Sequence, residues 1–276
     1  RGSQMTATPT DALGTPIAGV NVSAGRDTCC GWGGTTTAAD GTYVITGLPP
    51  GSYRVWASAP GYAGEYYNDT YDSSAATLVT ATSGVTTPNI NFALAQGAGI
   101  SGTVTNALGT PIAGAQVSAS RDTCCGWGWA TTAADGTYVI PDLAPGTYRV
   151  QVSASGYAGE YYNDTYDWAT ATLVTTASGV TTPNINFALA PGASISGLVT
   201  NALSTPVAGA HVSACPTASG SCGYATSAAD GAYVITDLVP GCYIIEVSAA
   251  GFATVYYPGT YDYNAATPVC VTAGAT

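Results

Sequence analysis

Three sets of residues in this chain have types and spacings suited to chemistry. The first is cysteine: eight of them, an even number, in a Gly- and Thr-rich text of 276 residues with no zinc-type His/Cys grouping. That pattern favours disulfides and an oxidising compartment. Cys29-Cys30 and Cys124-Cys125 are adjacent pairs, open to a vicinal disulfide or to a bond with another module. A thioredoxin-like redox centre needs two intervening residues and a βαβ setting, and neither is present. Of the other four, Cys215 and Cys222 share one loop and Cys242 and Cys270 fall on two expected strands, so the expected pairs are Cys215–Cys222 and Cys242–Cys270.

The second set is aromatic. Trp32, Trp127 and Trp129 stand beside glycine, and their flat faces suit stacking on sugar rings or contact between subunits. Packing over a neighbouring cystine is the plainer structural role. The third set is the segment EYYNDTYD, which gathers Glu65, Asp69 and Asp72, and in a second occurrence Glu160, Asp164 and Asp167. Its spacing matches no EF-hand loop, so the expectation is a solvated, tyrosine-rich loop and not a calcium site. The same segments carry the sequons at Asn68 and Asn163, and Asn21 begins a third; glycosylation is expected at these positions. The catalytic inventory is thin. His211, the sole histidine, reads as a surface strand residue, and without a single lysine the Ser-His, metal-hydrolase and Schiff-base chemistries lose their usual partners. A carboxylate pair for glycoside hydrolysis would need a deep cleft, which a small sandwich seldom has. The chain is expected to be no enzyme and to need no cofactor or metal.

The elements that position these residues recur. At an offset of 95 the chain aligns with itself without a gap: Arg26 to Trp32 and Arg121 to Trp127 both read RDTCCGW, and Val85 to Ala95 and Val180 to Ala190 both read VTTPNINFALA. The third copy keeps the frame with AADGAYVITDLVPGCY (Ala228 to Tyr243) and YYPGTYD (Tyr256 to Asp262). A period of this length suits a stand-alone sandwich module better than a solenoid turn. The expected domains are 1–96, 97–191 and 192–276. Within copy two, apolar residues alternate at Ile100, Gly102 and Val104, at Ala115, Val117 and Ala119, and at Tyr148, Val150 and Val152, which is the mark of half-buried strands. Further strands are expected at Tyr138 to Ile140, Ala171 to Thr175 and Ile185 to Leu189, with a short one near Ala130, about seven in all. Asp135-Gly136 and Pro145-Gly146, with their counterparts in the other copies, supply the tight turns. The joints AQGAG (Ala95 to Gly99) and APGAS (Ala190 to Ser194) are short enough to restrict bending. Three such modules end to end make a rod of order ~100 Å.

Composition narrows the partners. Hydrophobic residues make up 46% and charged ones 8%, and the formal charge is −11, which argues against nucleic acid, whose affinity rests on Lys and Arg. Apolar runs are strand-sized, far below the roughly 20 residues of a membrane-spanning helix. The chain starts at Arg1 and shows no signal peptide, which suits either a processed product or part of a longer polypeptide.

In combination, ISGTVTNALGTPIAGAQVSA (Ile100 to Ala119), TTAADGTYVI (Thr131 to Ile140), LAPGTYRV (Leu143 to Val150), SGYAGEYYND (Ser155 to Asp164) and NINFALA (Asn184 to Ala190) resemble the carboxypeptidase regulatory-like domain. The resemblance covers nearly all of each copy. It implies an all-β chain of three seven-stranded, transthyretin-like or immunoglobulin-like sandwiches that serve as spacers or stalks, without catalytic residues of their own. A neighbouring resemblance, to the B-type modules of Gram-positive adhesins and pilins, implies Lys–Asn isopeptide bonds, which a chain lacking lysine cannot form.

Two departures matter. Copies one and two carry the RDTCCGWG insert, and copy three stops at Thr276, the match of Thr181, so its sandwich is expected to lack the last strand. An open edge invites a donated strand. The candidate donor is Gln4, Met5, Thr6, Ala7 and Thr8, a poor first strand for its own module because Pro9 stands where copy two has Val104. The expected function is a secreted or cell-surface structural subunit of a filament, stalk or coat that self-associates into a homopolymer. The alternatives are a tandem carbohydrate-binding or adhesive module and an accessory region of a larger peptidase or receptor.

Overall fold

Alternating apolar residues need a second layer to bury against, and each copy supplies one by folding into two packed sheets. The computed structural model describes residues 2–28, 30–123, 126–218 and 220–275. Among these there is no α-helix, only two 3-10 turns at Trp168–Thr170 and Tyr263–Ala265.

In copy two, one layer centres on Ala98–Asn106, which pairs antiparallel with Thr137–Leu143 and parallel with Thr181–Thr182 and then Phe187–Leu189. The other layer runs Trp127–Thr131, Gln116–Arg121, Gly146–Ser153, Glu160–Tyr161, with Val174–Thr176 also paired to Gly146–Ser153. Val117, Ala119, Tyr148, Val150 and Val152 meet Ile100, Val104, Tyr138 and Ile140 between the layers, all of them buried. The Tyr138 hydroxyl donates to the Ile185 carbonyl at 2.6 Å and ties the last strand to the core. Gly102 makes room for that strand: a Cβ there would lie 2.0 Å from the Ile185 carbonyl oxygen. Two strands are shorter than the apolar pattern suggests. Asn184, at φ +64°, turns the chain before Ile185, so regular pairing begins only at Phe187; the strand expected from Ala171 begins at Val174, after the 3-10 turn.

Copy one repeats this plan, and it corrects the reading of the first residues. Ser3–Ala7 is the first strand of its own module, antiparallel to Tyr43–Leu48 and parallel to Thr86–Thr87. Met5 takes the place of Ile100 and is fully buried, which outweighs Pro9. The proline only interrupts the strand, which resumes at Thr10–Asp11 against Ala93–Leu94.

Copy three pairs Ala193–Leu198 with Ala232–Leu238, and sets Gly223–Thr226, His211–Pro216, Gly241–Ser248 and Val255–Tyr256 in the second layer. Among the described residues it has no counterpart of Phe187–Leu189. Its buried core holds eight described residues against fifteen and seventeen in copies one and two. The Tyr233 ring lies over Gly197, its hydroxyl 2.9 Å from where a Cβ would be, on the side where Ile185 crosses Gly102 in copy two. Disulfides Cys215–Cys222 and Cys242–Cys270 reinforce this smaller core. Bonds of this kind typically stabilise a small domain by about 2–4 kcal/mol.

Candidate functional site

The tryptophans lie on the outer face of the second layer. A Cβ at Gly128 would strike Leu143 and Ile140, so Gly128 faces the core and Trp127 and Trp129 on either side face out. Trp32, Trp127 and Trp129 are 75%, 72% and 56% exposed, so they do not serve as packing over a cystine. Cross-strand register aligns Trp129, Ser118, Gln151 and Tyr161 in one row across copy two. The same row in copy one contains Trp56 and Tyr66, at 4.6 Å between ring centres, and in copy three Tyr224, Glu246 and Tyr256. His211 is on this outer face too, its ring 5.5 Å from that of Tyr224, and it is exposed.

Trp168 was not singled out by sequence reasoning, and it is the best-anchored aromatic on this face. Asp167 caps its 3-10 turn by accepting from the Ala169 N–H. The Arg149 guanidinium sits 4.5 Å over the indole, donates through Nε to the Trp168 carbonyl and forms an ion pair with Asp122. Copy one has Ser73 at this position and Tyr263 stands there in copy three, so only alignment of the three copies signals it.

The EYYNDTYD segment is not the solvated loop that its polar text suggests. Glu65 and Glu160 are 3% and 4% exposed, each at the start of a two-residue strand. Burial, and then the neighbouring charge of Asp69 or Asp164, pushes each carboxyl up to about 7; the N–H of Ala93 or Ala188 on the last strand donates to it and offsets part of that shift. In both, Oε1 has no hydrogen-bond partner. Val255 occupies the position in copy three. Among the described residues no three His, Cys, Asp or Glu side chains gather as a metal site. Asn68 and Asn163 sit exposed in left-handed turns and donate to Thr77 and Thr172; Asn21 opens the strand Asn21–Arg26 and is exposed. Cys30 is exposed and carries a free thiol, whereas Cys29, Cys124 and Cys125 lie outside the described residues.

The joints between copies are built twice in the same way. At the first, the Asp142 carboxylate accepts from the Gly61 N–H at 3.0 Å, Gly97 donates to the Gly61 carbonyl at 2.9 Å, and the Gln96 carbonyl accepts from Gly179 and Ser178. At the second, Asp237 accepts from Gly156 at 2.8 Å, Gly192 donates to the Gly156 carbonyl at 3.0 Å, and the Pro191 carbonyl accepts from Gly274. Asp142 and Asp237 adopt φ +59° and +61°, a region costly for side chains other than Gly and Asn or Asp. The first joint also places the Arg121 guanidinium 5.1 Å over Tyr71. At the matching position of copy one stands Gly47, which has no carboxylate to offer. Gly97 and Gly192 are needed for the approach, since a Cβ at either would lie 2.7 Å from the Asp142 or Asp237 Cα.

The sequence profile of the carboxypeptidase regulatory-like domain matches residues 5–95, 99–190 and 194–274, nearly the whole chain. No curated protein matches significantly. Among solved structures, the Bacillus anthracis TIE protein is similar at 12% identity over 93% of this chain, with a TM-score of 0.29, and the chain spans about half of it, 48%. A minor pilin of Streptococcus agalactiae is 15% identical over 68% of this chain and 95% of its own, with a TM-score of 0.38. A streptococcal ancillary pilin is 12% identical over 95% of this chain and 96% of its own, at 0.33. Likenesses this distant leave function undecided. Among the described residues no helix is long and apolar enough to cross a membrane.

Proposed function

The chain belongs to the carboxypeptidase regulatory-like domain family in three tandem copies, and from that membership we propose a non-catalytic structural protein of the cell surface or exterior. It is a stiff multi-module strut that self-associates, end to end, into a filament, stalk or coat. The observation that supports this reading is the twice-built joint. A flexible string of modules needs no contact between neighbours, whereas here an Asp in a left-handed turn reaches back to a glycine N–H of the preceding copy at both junctions. The proposed modules are 1–96, 97–191 and 192–276. Head-to-tail joining by strand donation belongs to the same proposal in one form only: Ser3–Ala7 would have to leave its own sheet and exchange with another chain. Sugars on Asn21, Asn68 and Asn163 would add the polar surface that so few charges leave wanting, and an intact mass equal to the polypeptide alone would remove them.

The test is to replace both aspartates by the residue copy one carries, D142G with D237G, and to measure small-angle scattering. Gly47 shows that the fold accepts glycine there at φ +74°. Each lost bond to a carboxylate is worth about 1 kcal/mol at such a partly exposed site. In solution dilute enough to keep single chains apart, the wild type should give the profile of an extended rod of about 100 Å, and the double variant a broadened distribution of shorter distances. Identical profiles would show that the aspartates do not set the stiffness.

A further inference from the structure

The second joint forms an open groove of about 970 Å³ where the outer face of copy two meets the loops of copy three. Its walls are Gln116, Gln151, Tyr161 and Trp168 on one side and Thr217 and Ser221 on the other. The size is at the upper end of the range for small-ligand sites, roughly 300–1,000 Å³, and such sites favour junctions between modules. We propose that this groove binds a neutral oligosaccharide, with Trp168 and Tyr161 as the stacking faces and the Gln116 and Gln151 amides as hydrogen-bond partners.

Charge selects the ligand class. Among the described residues the groove is lined by no Arg, and the acids on its wall, Asp167 and Asp237, are committed to the Ala169 and Gly156 N–H groups. Arg149 stands behind Trp168 and is engaged by Asp122. An anionic sugar or phosphate would therefore meet carboxylates without a free cation, and the chain's charge of −11 would repel it. What remains is a neutral polar surface interleaved with flat apolar rings. A pyranose matches it: C–H groups on a ring face pack on an aromatic, and equatorial hydroxyls both donate and accept, as glutamine amides do. Among the described residues neither Gln116 nor Gln151 spends its amide on another protein group.

The rings are also held in place before any ligand arrives. Trp168 is fixed by its capped turn and by Arg149, and Tyr161 meets it edge-on at 5.9 Å and 80°. Rigid contacts lose little entropy on binding. Trp168 remains 45% exposed, enough of its surface to receive a sugar.

Calorimetry and tryptophan fluorescence on the full chain test this, with cellohexaose, xylohexaose and laminarihexaose as neutral probes and hexagalacturonate as the anionic one. At least one neutral hexaose should bind with Kd of order 10⁻⁴ M, and hexagalacturonate should not. W168S, which installs the residue of copy one at a position where the backbone anchor is to a carbonyl, should weaken binding about tenfold or more, as should Q151A. W32S, at a more exposed tryptophan that lies outside the groove, should leave it unchanged. Scattering confirms that each variant keeps its shape, so a failed strut and a failed groove are read separately. The assignment is overturned if no neutral hexaose binds below about 10 mM, if W168S binds as wild type, if hexagalacturonate competes equally, or if sedimentation shows a dimer that W168S abolishes, in which case a second copy is the occupant.

Discussion

Glu65 and Glu160 set the sign of this protein's response to pH. Each is held near 7 when folded and returns to about 4.5 when the chain unfolds. A carboxyl raised in the folded state favours the protonated protein, so its contribution is complete below pH 4.5, falls between pH 4.5 and 7, and is gone above that window. The gap corresponds to about 3 kcal/mol for each carboxyl, and neither is exposed enough for solvent to screen it. For a module of this size, 1 kcal/mol moves Tm by about 4–8 °C, so the transition of copies one and two should fall by about 12–24 °C between pH 4.5 and pH 8. Copy three, with Val255, should hold its Tm over the same range. Differential scanning calorimetry across that range reads both, and E65V with E160V, which copy the third module, should flatten the slope. A Tm that is constant or rises from pH 4.5 to 7.5, or a slope that survives in the double valine variant, would refute the assignment. Asp11, Asp40 and Asp135 run the other way, held low by bonds from Thr15 or from Thr42 and Thr137, and what they add is lost only in stronger acid.

Two further outcomes are expected. G102A should destabilise copy two by about 2 kcal/mol or more, because its Cβ would displace the last strand at Ile185, whereas G197A should cost under about 1 kcal/mol, since only the movable Tyr233 ring stands in the way; urea unfolding distinguishes them. Intact mass of native material against its peptide N-glycosidase digest should show loss of sugar at Asn21, Asn68 and Asn163, and no change would exclude N-linked chains there.

Repetition made most of the fold legible. The 95-residue frame, the Asp-Gly and Pro-Gly turns and period-two alternation are local in the chain, and they led to the layers of Ile100, Val117 and Val150. The two disulfides of copy three followed from loop and strand positions. What escaped depends on partners distant in sequence. Glu160 looked solvated because its neighbours are Tyr, Asn and Asp, while the group that holds it, the Ala188 N–H, lies 28 residues on. The segment Gln4 to Thr8 looked a poor first strand because of Pro9, yet Met5, at the position of Ile100, is wholly buried. Asp142 and Gly47 were visibly different in the alignment, but the difference acquires meaning only when Gly61 of the preceding copy is seen 3.0 Å away.

Where the copies differ, the differences are mutually consistent, and that is the strongest reason to read them as functional rather than as drift. Val255 replaces a buried carboxyl that in copies one and two takes its backbone bond from the last strand, so the position in copy three needs no such bond. Tyr233 has turned over Gly197 instead of reaching a strand carbonyl, which covers part of the same core edge from within the module. The two disulfides brace the second layer of copy three, Cys242 to Cys270 directly across the paired strands. The Tyr233 ring stands where a strand would cross Gly197 as Ile185 crosses Gly102 in copy two. Self-association through this edge therefore requires a side-chain rearrangement as well as an exchange of Ser3–Ala7, whereas end-to-end contact through the turn at Gly251 and Phe252, which matches the turns used at both joints, requires neither.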